Sequence, residues 1–326
     1  MKTLNNVHCL YLILLIVIVS GCVHSTESLA TPSPEISILP TSNIAPTSSF
    51  IPVPTDSPTT TPTTVIIPTL PVEEARTRLL DLLANNGDCR LPCLWGIIPG
   101  ESSFQEARAV LIPLSDLAYS VHLDSSLPAG NILLSYSESD IEINTDIGFL
   151  VNPNDFTVDR FTFRAEAQRP LNEGGYENVF DSTFYSQTAS AYMLPHVLSE
   201  QGIPESVLVS TSGAPLTRGG TGGFNIVLLY PNQGVFVHYT TQMYIIEKNV
   251  RGCFQDAHIW MELYPPGDSD NYFTELEKTN WPFFKDGFKP LEESTSMSVD
   301  EFYEIFREPT DECIETLASL WPTPEP

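Results

Sequence analysis

The spacing of hydrophobic and polar positions changes three times along this chain. An unbroken apolar run covers residues 10–19, and ten prolines stand among serines and threonines over residues 25–71. From residue 73 onward, apolar residues recur with the periods of helices and strands. The pattern therefore divides the chain into a short apolar segment, an extended tract and about 250 residues that can form a folded domain.

Helical spacing is clearest over residues 72–84, where apolar side chains fall near one face ahead of the helix stop Asn85-Asn86-Gly87. Ser103 and Glu106 have the spacing of a capping box, which predicts a second helix opening in residues 101–107. The same criteria predict further helices over residues 192–201 and 299–307.

Alternation of apolar and polar residues predicts strands on both sides of these helices. The clearest strand places Phe161 and Phe163 on one face. Pro231-Asn232-Gln233-Gly234 joins two later strands as a hairpin. The predicted strands cover residues 131–137, 141–144, 156–165, 207–210, 224–230, 235–239, 244–248 and 257–264.

These elements predict an α+β fold in which helices pack on antiparallel sheet. The order of helices followed by strands occurs twice. The sequence therefore leaves open two similar helix-plus-sheet units, divided near residue 185, within a domain over residues 73–326.

The residues that follow the apolar run carry the strongest resemblance in the chain. Val19-Ser20-Gly21-Cys22 resembles the lipobox of bacterial lipoproteins. The resemblance implies a signal peptide over residues 1–21, cleavage before Cys22 and a diacylglycerol on its sulfur. As a helix the apolar run rises about 15 Å, half of a bilayer's hydrocarbon core, which suits a signal peptide better than a membrane span. An ordinary signal peptide and an uncleaved anchor are the alternatives.

Residues 22–72 are interpreted as the lipidated cysteine followed by a disordered tether. Proline removes backbone donors, and few apolar side chains are present to offset the entropy of ordering. The 47 residues from 25 to 71 would reach roughly 145 Å as polyproline II and about 40 Å as a flexible coil. We therefore expect an extracytoplasmic domain, held away from the cell membrane or outer membrane that carries its lipid anchor.

Charge narrows the choice of partners. Against 41 acidic residues the chain has 15 Lys and Arg, a formal net charge of −26. This balance excludes nucleic acid as a partner, because phosphate contacts need many cations. It also disfavours docking of the domain on anionic lipid headgroups. The surplus of acid indicates either solubility alone or affinity for cations or a basic partner.

Four cysteines follow the tether. In an oxidising compartment they are expected to form two disulfides, and four cysteines can be paired in three different ways. Pro92 favours a turn that brings Cys89 and Cys93 together, so the expected pairs are Cys89–Cys93 and Cys253–Cys313. A zinc site or a redox pair is the alternative. The C-x-x-x-C spacing and the lack of a histidine close in sequence disfavour zinc.

Two further resemblances are local. The fragments beginning at Gly100 and Gly202 resemble helix entries and helix ends in small outer-membrane-assembly lipoproteins of the BamE/SmpA kind, which implies helices on a small antiparallel sheet. The segment from Cys89 to Gly100 reads C-x-x-P-C-x-W-G-I-x-P-G, and it resembles a segment of uncharacterised bacterial lipoproteins. The second resemblance implies no activity.

Motifs that would carry chemistry fail on their spacing. The glycine loop at residues 219–223 lacks the Gly-Lys-Ser/Thr of a phosphate-binding loop, and residues 268–271 lack the later ligands of a calcium loop. No G-x-S-x-G is present after the tether. Residues 281–284 are the strongest candidate for an exposed aromatic patch. The histidines make no metal-ligand pair and are expected to be structural: His24, His122, His196, His238 and His258.

The sequence therefore predicts no catalytic residue, no cofactor and no metal ligand. We expect a lipoprotein that is not an enzyme, whose domain binds a protein, a glycan or an envelope component. One alternative is a secreted glycan hydrolase, which would need two carboxylates about 5–9 Å apart in a pocket. The other is a structural envelope protein with a flat, polar surface.

Overall fold

The structure is a computed structural model that describes residues 67–123, 129–138, 140–172, 174–180, 185, 187–212, 222–267 and 287–321. The predicted signal peptide, Cys22, His24 and most of the tether lie outside the described residues. So do residues 219–221, 268–271 and 281–284 of the candidate motifs. Within the described ranges, no helix has both the length and the apolar character that a membrane span requires.

The helices begin and end at residues whose chemistry explains the boundary. Helix α1 (Val72–Asn85) ends where Asn86 takes a left-handed conformation with φ of 55°. Helix α2 (Phe104–Leu111) begins with the predicted capping box at Ser103, which is confirmed. The other α-helices of the described residues are α3 (Leu194–Gln201), α4 (Leu291–Ser294) and α5 (Val299–Phe306).

Most strands belong to one antiparallel sheet, in which the order is β1-β2-β3-β4-β10-β8-β7-β6-β11. Strand β5 pairs with β4, and β9 pairs with both β8 and β12. The bounds are β1 (Ala118–His122), β2 (Ala129–Glu138), β3 (Ile141–Val151), β4 (Val158–Pro170), β5 (Tyr176–Asn178), β6 (Ser206–Ser212), β7 (Gly223–Tyr230), β8 (Val235–Ile246), β9 (Asn249–Gly252), β10 (His258–Leu263), β11 (Lys289–Pro290) and β12 (Ile314–Leu317).

The α+β prediction is confirmed, but the sheet does not break near residue 185. Strand β4, from the first half of the chain, pairs with β10 from the second half over five residues, beginning with Ala165 opposite Ile259. Residues Thr63–Pro326 accordingly form one compact unit. Two helix-plus-sheet units divided near residue 185 are therefore not seen, because long-range pairing joins the halves into one sheet.

Several predicted boundaries differ from the structure, and the strand predicted over residues 141–144 runs on to Val151. Residues 235–239 and 244–248 were predicted as separate strands, yet β8 runs from Val235 to Ile246 because β7, β10 and β9 all pair with it. Strand β4 begins at Val158, after Phe156 adopts a φ of 61°. Helix α3 begins at Leu194 with Pro195 in its first turn, where proline is well tolerated.

The main hydrophobic core lies between the helices and one face of the sheet. Phe163 of β4 contacts Trp95 edge to face at 6.2 Å between ring centroids, and it packs against Tyr192 at 4.7 Å. Phe149 of β3 packs against Phe104 of α2 at 5.7 Å. Alternate residues of β3 and β4 therefore point into this core, and the residues between them point to the opposite, polar face of the sheet.

The two disulfides join the expected pairs. Cys89 and Cys93 are 5.8 Å apart at Cα, and Cys253 and Cys313 are 4.4 Å apart. The buried Asn86 amide donates to the carbonyl oxygens of both Cys89 and Cys93, at 2.7 and 2.8 Å. This hydrogen bonding fixes the first disulfide turn against the end of α1. Disulfides are typical of an oxidising, extracytoplasmic setting.

Candidate functional site

One concave surface of the described residues is a groove between α3, α5 and the turn Phe254–Asp256, here called the α3–α5 groove. Its volume is about 620 Å³, within the range of roughly 300–1,000 Å³ found for small-molecule pockets. Its lining residues are Ser190, Met193, Leu194, Pro195, His196, Ser199, Phe254, Gln255 and residues 306–312.

The apolar part of the groove is continuous with the protein core. Leu194, Phe254 and Phe306 line the groove and are themselves buried members of the main core. Met193 is partly buried and packs against the same core. Because close-packed side chains hold these residues, the apolar surface exists before any ligand arrives.

The second disulfide fixes one wall of the groove. Phe254 and Gln255 follow Cys253, and the wall formed by residues 307–312 leads directly to Cys313. The Gln255 amide donates to the Thr310 carbonyl oxygen at 2.5 Å and to Asp311 Oδ1 at 2.7 Å. The turn and the wall are therefore held together by one covalent bond and two hydrogen bonds.

The rim of the groove is acidic. Glu308, Asp311 and Glu312 line it and are exposed. Arg307 is the one permanent cation among the described lining residues, and its guanidinium lies 3.1 Å from a carboxylate oxygen of Glu304. The charge of Arg307 is therefore already compensated, which leaves a negative rim above an apolar floor.

A second candidate site is a cavity of about 140 Å³ on the polar face of the sheet. The register places Asp146 of β3 directly opposite Arg164 of β4, with Glu166 two positions further along β4. The Arg164 guanidinium forms an ion pair with Glu166 and lies 5.9 Å from the Trp260 ring centroid. The cavity is lined by Leu133, Leu134, Asn144, Thr145, Asp146, Arg164, Glu166 and Gln168.

Burial changes the acidity of both carboxyl groups in this cavity. Burial raises the pKa of Asp146, against a hydrogen bond from Asn131 and the charge of Arg164. Burial also raises the pKa of Glu166, against the charge and hydrogen bond of Arg164. Two carboxyl groups that hold protons more readily than usual are the groups that general acid catalysis requires.

The size of the cavity and the position of Arg164 restrict what this pair can do. Asp146 and Glu166 are diagonal neighbours on adjacent antiparallel strands, so their side chains share one face, as a pair of catalytic carboxylates must. Arg164, however, pairs with Glu166 and favours its ionised form. A volume of about 140 Å³ is also below that of ordinary ligand pockets. The cavity therefore suits a small polar group better than a glycan chain.

Two buried histidines lie on the same polar face of the sheet. Burial lowers the pKa of His238 to about 3 and that of His258 to about 4. His238 Nε2 lies 3.1 Å from Asn225 Oδ1, and the His258 ring stacks on Phe180 at 4.7 Å. Both imidazoles are therefore neutral at physiological pH and packed among their neighbours.

The other histidines within the described ranges lie apart from this pair. His122 Nδ1 is 3.1 Å from Asn131 Oδ1, and His196 Nε2 is 3.5 Å from a carboxylate oxygen of Glu200. The described residues contain no group of three or more His, Cys, Asp or Glu side chains that could hold a metal ion.

Sequence reasoning identified the cysteines but missed both candidate sites. The groove draws on residues near 190–199, 254–255 and 306–312, which are far apart in the sequence. One local signal was present: residues 308–312 place three acids directly before Cys313. Nothing in the sequence distinguishes Asp146 and Glu166 as a pair, because a chain with 41 acidic residues contains many pairs of acids at similar spacing by chance.

No protein-family model, no curated protein and no solved structure matches this chain.

Proposed function

We propose that this protein is a lipid-anchored, extracytoplasmic binding protein whose α3–α5 groove holds a ligand from a protein, glycan or envelope component. The observation that carries the proposal is the groove itself. It combines a volume of about 620 Å³, a floor built from core side chains and an exposed polar rim. Concave, largely apolar surfaces with a few polar groups are the usual form of binding sites.

The location part of the proposal is supported by two independent features. The lipobox resemblance at Val19-Ser20-Gly21-Cys22 supplies the lipid anchor, and two or three acyl chains give stable membrane attachment. The two disulfides agree with an oxidising compartment. Palmitate labelling should depend on Cys22, and Cys22→Ala should release the protein from membranes. Unchanged membrane partitioning of that variant would remove the anchor from the proposal.

A groove-filling substitution tests the binding part. Ser199 is exposed and lines the groove, so Ser199→Trp should occupy the ligand's volume without disturbing the core. Ser137→Trp is the control, because Ser137 is also exposed and does not line the groove. Binding to fractionated envelope protein, glycan and lipid should be lost in the first variant alone. Equal binding by wild type and both variants would show that the groove is not the ligand site.

A glycan hydrolase is the second candidate, favoured by the two carboxyl groups with raised pKa, Asp146 and Glu166, in one cavity. Release of reducing ends from cell-wall glycan would support it if Asp146→Asn and Glu166→Gln each abolished the activity. We rank this function second because of the small cavity and the ion pair from Arg164. The groove also makes a purely structural role with a flat surface less suitable than binding.

A further inference from the structure

We infer that the α3–α5 groove binds a cationic amphipathic peptide segment of a partner protein. This inference rests on the proposed function and names the class of ligand. Its basis is the combination, on one concave surface, of a preformed apolar floor and a rim of acidic side chains that form no ion pair with the described residues.

The floor selects for apolar side chains. Phe254 and Phe306 are buried in the core and still line the groove, and Met193 lies beside them. Phe254 and Phe306 are each only 3% exposed, so they hold the floor in place, whereas the partly buried Met193 can adapt its unbranched side chain to different shapes. Apolar side chains of a bound segment would gain the most by entering here, because they leave water for a surface that is already formed.

The rim selects for positive charge. Glu308, Asp311 and Glu312 stand within five residues of one another on the same wall. The neighbouring Arg307 is held by Glu304 and lies over the Tyr303 ring, with 5.6 Å from its guanidinium carbon to the ring centroid. A Lys or Arg side chain on the bound segment would therefore contact three carboxylates. The charge of Arg307 would repel it little, because Glu304 already pairs with that charge.

Charge also disfavours the two ends of the given sequence as the occupant. No Lys or Arg occurs between Lys2 and Arg76, so the tether carries no cation. The last five residues read Pro-Thr-Pro-Glu-Pro and are acidic. A second copy of the chain brings a further net charge of −26. A partner protein is therefore the source that we infer for the cationic segment.

Fluorescence anisotropy with three labelled peptides tests the inference on the full-length chain purified in detergent. The peptides share one pattern of leucines and differ only at the polar positions, which carry Lys, Gln or Glu. We expect the Lys peptide to bind roughly 3-fold to 100-fold more tightly than the Gln peptide, because each of three exposed ion pairs adds a modest free energy to binding. Binding of the Lys peptide should weaken in high salt. Equal binding of the Lys and Gln peptides would overturn the inference.

Variants separate the groove from the general negative charge. Glu308→Gln with Glu312→Gln should weaken the Lys peptide severalfold. Glu292→Gln with Glu293→Gln removes the same charge from the exposed start of α4, outside the groove lining, and should leave binding nearly unchanged. An equal loss in both pairs would show attraction by net charge alone and would overturn the inference.

The groove-filling variant Ser199→Trp distinguishes failure of this inference from failure of the proposed function. If a neutral peptide or glycan binds wild type at least as tightly as the Lys peptide does and loses binding in Ser199→Trp, the groove is a ligand site but the cationic peptide is wrong. If the Lys peptide binds wild type and Ser199→Trp equally, both the inference and the groove as ligand site are wrong. Loss of the Lys peptide in Ser199→Trp, with binding retained in Ser137→Trp, supports both.

Discussion

The two buried histidines of the sheet predict that the folded domain loses stability in mild acid. Burial holds the pKa of His238 at about 3 and that of His258 at about 4, below the ordinary value of 6.5. In the unfolded chain the pKa of both imidazoles returns to the ordinary value of 6.5. Below that pH, the unfolded state therefore binds protons that the folded state does not.

The size of the effect follows from the gap between folded and unfolded pKa values. The stabilisation is fully present above pH 6.5 and is lost as the pH falls towards the folded values. At pH 5 the unfolded imidazoles are almost fully protonated, whereas the folded ones are mostly neutral. When the pH falls from 7 to 5, each histidine should lower the free energy of unfolding by about 2 kcal/mol, and the pair should lower it by about 4 kcal/mol.

The groups around the histidines determine which other titrations contribute. Glu166 approaches His258 Nδ1 to 4.0 Å but is engaged by Arg164, and the charge of Arg164 lowers the pKa of both histidines further. The raised pKa values of Asp146 and Glu166 act in the opposite direction, since these carboxyl groups bind protons more readily in the folded state. A comparison of variants is needed to isolate the histidines.

Urea unfolding followed by tryptophan fluorescence at pH 7 and pH 5 measures the effect. Glutamine can keep a donor towards Asn225 and does not titrate, so His238→Gln with His258→Gln removes both imidazole contributions. Between pH 7 and pH 5, the free energy of unfolding of the double variant should fall by about 4 kcal/mol less than that of wild type. An equal pH dependence of the unfolding free energy in wild type and the double variant would refute the reasoning.

Three further predictions concern single features of the fold. Gly234→Ala should lower the unfolding free energy by about 2 kcal/mol or more, because φ is +68° there and a Cβ would meet the Tyr264 carbonyl oxygen; a loss below about 0.5 kcal/mol would contradict this. Cys253→Ser with Cys313→Ser should cost about 4 kcal/mol in urea unfolding, because the disulfide closes a loop across a separation of 60 residues; unchanged stability would contradict the entropic argument. Ser298→Ala should cost about 1 kcal/mol by removing the cap of α5, whereas Ser298→Asp should restore most of it.

The sequence predicted the features that depend on local spacing. The alternation around Phe161 and Phe163 determined which residues of β4 enter the core, because successive side chains of a strand point to opposite faces. The spacing of Ser103 and Glu106 placed the start of α2, since a cap acts within one turn of helix. The order of the cysteines, with Pro92 between the first two, favoured the pairing that the structure contains.

Only the tertiary structure decided which distant segments meet. The pairing of β4 with β10 made one sheet where the sequence left two units open, because a strand's local pattern does not specify its neighbour. The groove arose where α3 and α5 came together beside the Cys253–Cys313 disulfide. The burial that raises the pKa of Asp146 and Glu166 likewise depends on strands supplied by different parts of the chain. Local spacing sets the face on which a residue lies, and long-range packing sets the groups that it contacts.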